Sequence, residues 1–94
     1  MRVSWLRQAL RNLAAEAAYI AADDPAEARL VVGRVLGAVA SLAAQPARGR
    51  PGRVAATREL IVLRTRYIVP YRVRDGTIEV LRVCHASRRS PGKW

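Results

Sequence analysis

The first twenty residues combine a short alternating segment with a helical pattern. Residues 2–5 alternate polar and apolar side chains, which predicts an opening strand, and Ser4 can cap a helix that follows it. Over residues 5–21 the apolar side chains recur at steps of three and four, which predicts one amphipathic helix with Glu16 off its apolar face. That face consists of Leu6, Leu10, Leu13, Ala17 and Ile20.

An acidic turn and a proline separate this helix from a second one. Asp24 suits the N-cap, Pro25 the first helical position, and Glu27 the third, from which its side chain can reach back to the cap. The helix is expected to stop near Gln45 and Pro46. Its apolar face consists of Ala28, Val32, Val35, Val39 and Leu42. Two amphipathic helices joined by a short turn predict an α-helical hairpin.

Beyond a loop at residues 46–56, which holds two prolines and two glycines, the pattern changes to that of β-strands. Residues 64–66 and the pair Asp75 and Gly76 have the length of hairpin turns, and Asp and Gly tolerate a positive φ. The predicted strands, rich in β-branched and apolar side chains, are residues 57–63, 67–73 and 77–85.

Pro70 lies inside the second of these strands, and a proline cannot donate to a strand ladder. It predicts an edge position, a bulge or a bend, and it leaves the strand register open by one residue. Residues 86–94 are basic, contain Pro and Gly, and are predicted to form a flexible tail. Residues 1–94 therefore predict a single α+β domain of order β-α-α-β-β-β. A helical hairpin packs on one face of a small, mainly antiparallel sheet, and the other face is left exposed and rich in Arg.

Positive charge is concentrated in the second half of the chain. The 17 basic residues outnumber 7 acidic residues and give a net charge of +10. Residues 1–46 hold five basic and four acidic residues, whereas residues 47–94 hold twelve basic and three acidic residues. A surface with this asymmetry attracts nucleic acid, an acidic protein or anionic lipid.

The chain has few of the residues that metal sites, disulfides or membrane spans need. Cys84 is the only cysteine and His85 the only histidine, so we expect no metal, no cofactor and no internal disulfide. Cys84 is expected to be a buried structural thiol. No apolar run reaches the ~20 residues of a membrane span, and no secretory signal is evident. We therefore expect a cytoplasmic protein with no membrane partner.

RNA cleavage is the catalytic chemistry that this composition suits best. It needs a base for the 2′-hydroxyl, cations for the phosphorane and an acid for the leaving oxygen. The candidate bases are Glu59, Glu79 and His85, and histidine is the side-chain type that titrates near neutral pH. The arginines that could hold the phosphate are Arg58, Arg66 and Arg82.

Several segments occur in an order and spacing that are similar to a known family. They are residues 19–25, 49–54, 57–60, 67–73 and 78–85. Together they resemble the RelE/ParE superfamily of type II toxins over roughly residues 1–90. The chain, especially residues 1–6 and the helix end at residues 16–23, is more similar to ParE-like members. The resemblance implies the fold predicted above. It also implies an acidic cognate antitoxin that wraps and neutralises the toxin in a hetero-oligomer.

Members of the superfamily differ in their target. ParE-like members poison DNA gyrase, so the resemblance implies gyrase inhibition, a block of replication and growth arrest. The target-binding charge would then come from Arg58, Arg64, Arg66, Arg82, Arg88 and Arg89. RelE-like members cut mRNA on the ribosome. In this alternative His85 or Glu59 transfers protons while Arg58, Arg66 and Arg82 hold the phosphate. An inert remnant or structural partner is the third interpretation.

Overall fold

Among the described residues, six strands form one sheet that carries two helices on one face. A computed structural model describes residues 1–88, and the structural statements below refer to them. In chain order the elements are β1 (Arg2–Trp5), α1 (Arg7–Ala21), α2 (Pro25–Ser41), β2 (Arg50–Pro51), β3 (Arg58–Ile61), β4 (Tyr67–Arg74), β5 (Thr77–Val80), β6 (Cys84–His85) and a 3₁₀ turn (Ala86–Arg88). This architecture confirms the predicted α+β class with a helical hairpin on a sheet.

The sheet has the strand order β1-β5-β4-β3-β2, and β6 also pairs with β4. Within the described residues β1 and β5 run parallel, and every other strand pair is antiparallel. The central strand β4 pairs with β3 along one edge, and with β5 and then β6 along the other. The prediction of one continuous strand over residues 77–85 is therefore wrong, and the predicted loop at residues 46–56 contains β2.

Pro70 in β4 explains why the predicted strand over residues 77–85 is interrupted. It is fully buried in the central strand, so the predicted edge position is wrong and the predicted bulge is right. Residues 69–70 of β4 face three residues, 81–83, between β5 and β6. Pro70 has no N–H for this side of the ladder, although its carbonyl still accepts from Leu81 N at 2.9 Å.

The extra residue of this bulge shifts the register of β6 by one. In an unbroken register Cys84 would lie opposite Tyr67, but His85 takes that place. Paired residues share a face, so His85 lies on the helix-packed face and Cys84 on the other. The backbone N–H of Val83 in the bulge donates to Oδ1 of Asn12 on α1 at 3.2 Å.

The start of α1 differs from the prediction. Ser4 lies within β1, paired with Glu79, and Leu6 occupies the N-cap position without a side-chain cap. The helix therefore begins at Arg7, because the preceding residues are held by the parallel pairing of β1 with β5.

The buried face of α1 is also rotated from the predicted one. Ala9 is fully buried, whereas Leu10 is 51% exposed. Glu16, expected off the apolar face, reaches the sheet, where the hydroxyl of Tyr67 donates to its Oε1 at 2.8 Å. The members of the predicted face that pack against the core are Leu13 and Ile20.

The start of α2 confirms the predicted cap. The carboxylate of Asp24 accepts from Glu27 N at 3.1 Å, and a proline follows at the first helical position. Val31 is buried in place of the predicted Val32. The helix ends at Ser41, earlier than predicted. The predicted positions that are buried are Ala28, Val35, Val39 and Leu42.

The β4–β5 hairpin turns as predicted at Asp75 and Gly76. Their φ angles are 52° and 70°, so both residues adopt the left-handed region that a two-residue turn of this kind requires.

Tyr71, the largest fully buried side chain, ties the loop after α2 to the central strand. Its hydroxyl donates to Pro46 O at 2.7 Å and accepts from Gly49 N at 2.9 Å. A Cβ at Gly49 would lie 2.7 Å from the ring of Tyr71, so this close approach requires glycine.

The substitution Tyr71→Phe removes only this hydroxyl. We expect it to lower the free energy of unfolding by about 1–3 kcal/mol, because the carbonyl of Pro46 and the N–H of Gly49 lose their partner. Thermal unfolding followed by circular dichroism measures this loss, at about 4–8 °C per kcal/mol. The matched control is Tyr19→Phe on an exposed tyrosine, which should stay within about 0.5 kcal/mol. Equal melting temperatures for the two variants would contradict the assignment.

Candidate functional site

The turn between β3 and β4 presents two of the predicted arginines, Arg64 and Arg66, at one end of the sheet. Both are exposed. Thr65 lies between them, and its hydroxyl donates to Val62 O at 2.8 Å and accepts from Tyr67 N at 3.1 Å. The side chain of Thr65 therefore holds the backbone of the turn in one conformation.

Two neighbouring elements also hold this turn. Arg34 on α2 donates to Arg64 O at 3.2 Å, and Ala86 N donates to Arg66 O at 2.8 Å. Arg64 has a φ of 62°, a left-handed conformation that is uncommon outside glycine. Because the backbone is held from both sides, the two arginines extend from a fixed base.

His85 lies beside this turn, because the bulge places it opposite Tyr67 on the helix-packed face. The ring centroids of His85 and Tyr67 are 5.5 Å apart at an interplanar angle of 86°. Ser87 N–H donates to Nδ1 of His85 at 3.3 Å, and the Ser87 hydroxyl lies 2.7 Å from the same nitrogen. Since Nδ1 accepts, the neutral imidazole carries its proton on Nε2, which is then a donor.

A groove with a volume of about 720 Å³ separates this end of the sheet from the turn of the helical hairpin. One wall is formed by the β3–β4 turn and His85, and the other by the end of α1 and the start of α2. We call it the turn groove, and it is lined by Tyr19, Ile20, Glu27, Val31, Arg64, Thr65, Arg66, Tyr67 and His85.

Sequence reasoning missed the helical wall of this groove. Tyr19 is 74% exposed on the last turn of α1, next to the half-buried Ile20. Because Tyr19 lies off the predicted apolar face, the sequence already indicated that its ring is exposed. Glu27 was expected only to support the helix cap, yet its exposed side chain lines the groove.

Arg58 is not among the residues of the turn groove. It pairs with Tyr71 near the start of β3, on the helix-packed face. Its guanidinium donates to Gly49 O at 2.7 Å and to Ala47 O at 3.3 Å. Arg58 thus braces the loop that precedes β2.

Glu59, a candidate base, is 98% buried in an ion pair. Arg50 donates to Glu59 Oε1 at 3.1 and 3.3 Å, and Arg53 N donates to Oε2 at 3.2 Å. Glu59 pairs with Pro70, on the face opposite to His85 and three residues further along β4, a distance of roughly 10 Å. The structure therefore does not bring Glu59 and His85 together.

The remaining predicted arginines follow the bulge. Arg82 is half-buried and donates to Leu81 O at 2.9 Å. Arg88 ends the 3₁₀ turn, so the predicted tail begins with ordered structure. The side chain of Arg88 and all of Arg89 lie outside what the structure describes.

The sheet face away from the helices carries a separate charge cluster. Arg72 Nε donates to Glu79 Oε1 at 2.7 Å, and Arg74 Nε lies 3.6 Å from the same oxygen. The hydrogen bond from Arg72 lowers the pKa of Glu79, against a smaller rise from desolvation, and the charges of Arg74 and Arg72 add to the lowering.

Two other sequence expectations concern Cys84 and metal binding. Cys84 is half-buried, more exposed than predicted. In the stretch 1–88 no three potential ligands come together into a metal site. Neither helix of that stretch has the length and apolar character that crossing a bilayer demands.

The class of protein follows from comparison of the fold and the sequence with known proteins. The structure matches a chain of the chromosomal ParDE toxin–antitoxin system from Pseudomonas aeruginosa with a TM-score of 0.80 and 30% identity, over 90% of this chain and 95% of that chain. This is the RelE/ParE superfamily predicted from the sequence. Residues 3–90 match the family described as the ParE toxin of type II toxin–antitoxin system, parDE. The chain belongs to the ParE toxin family.

Curated relatives agree over nearly the whole chain. Y4kP of Sinorhizobium fredii is 48% identical over 91 residues, which are 96% of this chain and 93% of the relative. Toxin RelE2 of Caulobacter vibrioides is 38% identical over 87 residues, which are 93% of this chain and 97% of the relative.

The ion pair of Glu79 makes a prediction about pH. A carboxylate with a depressed pKa stabilises the fold above its ordinary value of about 4.3, and this contribution is lost as the pH falls through the depressed value. We expect Glu79→Gln to lower the melting temperature at pH 7, and the difference from the native chain to shrink as the pH is lowered toward 3. Melting curves across this range are the measurement, with Asp23→Asn on an exposed acid as the control. A difference that is independent of pH would refute the linkage.

Proposed function

We propose that this toxin inhibits DNA gyrase, and so blocks replication and arrests growth. Membership of the ParE family and the likeness to a ParDE system support this target. The observation that carries the proposal is the separation of the predicted catalytic groups. Glu59 lies in a buried ion pair on one face of the sheet, and His85 lies on the other face.

The geometry suits binding better than the predicted proton transfer. Arg58 braces a loop, so one of the proposed phosphate-holding arginines is committed to backbone carbonyls. Glu59 and His85 lie on opposite faces of the sheet, so the two predicted proton-transfer groups do not face one phosphate. Arg64 and Arg66, in contrast, are exposed on a turn that two neighbouring elements hold in place. These two arginines are the proposed centre of the target-binding surface.

We also propose that a cognate acidic antitoxin neutralises the toxin in a cytoplasmic hetero-oligomer. Residues 47–94 carry nine more basic than acidic residues, twelve against three, which favours a partner of opposite charge. A segment of that partner that folds on binding could cover an extended basic and apolar surface.

A ribosome-dependent endoribonuclease is the second candidate. One similar relative is named toxin RelE2. The turn groove also holds a carboxylate, Glu27, together with His85 and two arginines, which is a second set of groups for RNA cleavage. This set differs from the predicted one, because it has Glu27 instead of Glu59, and Arg64 beside Arg66 instead of Arg58 and Arg82.

A gyrase cleavage assay tests the first proposal. Purified toxin is incubated with gyrase, supercoiled plasmid and ATP, and we expect cleaved, protein-linked DNA to accumulate. The double variant Arg64→Gln/Arg66→Gln should require about ten-fold more toxin, because it removes two anchors of the binding surface. The control Arg2→Gln/Arg29→Gln removes the same charge from exposed positions outside the groove and should act like the native chain.

Two results would decide against gyrase. One is an absence of cleaved DNA at concentrations that arrest growth. The other is a loss of toxicity in both Glu59→Ala and His85→Ala, with the fold of each variant intact by circular dichroism. Transcripts cut in the same cells, and left intact when Glu27→Gln is expressed, would then establish the endoribonuclease.

A further inference from the structure

The two walls of the turn groove differ in chemistry. The sheet wall carries Arg64 and Arg66, whereas the helical wall offers the ring of Tyr19 and the apolar side chains of Ile20 and Val31. A nucleotide has the same division, with a charged phosphate on one side and an aromatic base on the other. The groove volume of about 720 Å³ lies within the range of about 300–1,000 Å³ for sites that hold small organic ligands, so it suits a few nucleotides rather than a duplex.

The contacts that fix the basic wall leave its charged groups in solvent. The carbonyl oxygens of Arg64 and Arg66 accept the bonds from Arg34 and Ala86, and both arginine residues are exposed. A guanidinium carries five N–H donors in a planar fork that matches phosphate oxygens. Two such groups therefore extend into solvent from a turn whose backbone is held, where they can bind phosphate.

Tyr19 is the one tyrosine whose ring is largely exposed. Tyr67 and Tyr71 are buried, and their hydroxyl groups bond to Glu16 and to Pro46. Tyr19 is instead 74% exposed at the rim of the groove, although the neighbouring Ile20 packs against the core. An aromatic ring exposed beside arginines is the arrangement on which proteins stack the bases of single strands.

Glu27 makes the two walls of the groove opposite in charge. Glu27 lines the helical wall, and its negative charge repels phosphate there, whereas Arg64 and Arg66 attract phosphate on the sheet wall. A bound strand therefore has its backbone along the β3–β4 turn and a base against Tyr19.

We propose that the turn groove binds single-stranded nucleic acid directly, with phosphates on Arg64 and Arg66 and a base stacked on Tyr19. The inference rests on the proposed function for its natural ligand, the DNA on which gyrase acts. Binding itself is a property of this chain alone, and it is measured without gyrase.

Fluorescence anisotropy with labelled dT12 tests the proposal. The purified toxin is titrated into dT12, rU12 and a 12-base-pair duplex at several salt concentrations. We expect dT12 to bind more tightly than the duplex, because the groove is too small for paired strands. Tighter binding of rU12 than of dT12 would keep the site but assign it to RNA. Tighter binding of the duplex, or no binding of either single strand, would overturn the proposal.

Four variants separate the groove from general positive charge. Arg64→Gln/Arg66→Gln should reduce the slope of log affinity against log salt by about 1.4, from about 0.7 for each phosphate contact. Tyr19→Ala should weaken binding about ten-fold with an unchanged slope, because stacking is uncharged. Glu27→Gln should strengthen binding. The control Arg2→Gln/Arg29→Gln removes two exposed charges outside the groove and should change affinity least.

The outcomes also distinguish this inference from the proposed function. Equal effects of the two double arginine variants, with no effect of Tyr19→Ala in a chain folded by circular dichroism, would overturn the groove as the binding site. Gyrase cleavage without binding of dT12 would leave the proposed function in place and remove this inference. Binding of dT12 without gyrase cleavage would support this inference and contradict the proposed function.

Discussion

Pro70 has no N–H to donate from the middle of β4, and the functional end of the molecule depends on how the chain meets this constraint. Three residues, 81–83, lie opposite two residues of β4, which removes the need for that donor. The bulge then leaves the N–H of Val83 to a partner outside the sheet, Asn12 of α1. It also places His85 on the helix-packed face. One imino acid in the central strand thus sets the chemistry of the groove and joins α1 to the sheet.

The fold was predictable where the signal is local. Asp24 accepts from a backbone N–H three residues along the chain, and Asp75 and Gly76 turn the hairpin through their own φ angles. Ser4 failed as a cap because its strand pairs with β5, more than seventy residues further along the chain, and no local pattern records that pairing. Pro70 predicted a bulge, but the sequence did not show that the extra residue lies opposite it, in residues 81–83.

The candidate site was predictable only in part, for the same reason. Arg66 and His85 were chosen for charge and titration, and the turn and the bulge bring them into one groove. Arg58 and Glu59 were equally good candidates by residue type. In the structure, however, Arg58 binds a loop carbonyl and Glu59 binds Arg50 of β2. Tyr19 lies off the apolar face of α1, and a helical pattern alone does not show which exposed side chain borders a groove.

The charge of the groove follows from where the carboxylates of the second half lie, rather than from the number of arginines. Glu59 is held by Arg50, and Glu79 by Arg72, so each neutralises an arginine away from the β3–β4 turn. The carboxylate that lines the groove comes instead from α2, across from the turn. The positive and negative charges therefore lie on opposite walls. A ligand that is anionic along one side is oriented as well as attracted, which a uniformly basic surface cannot do.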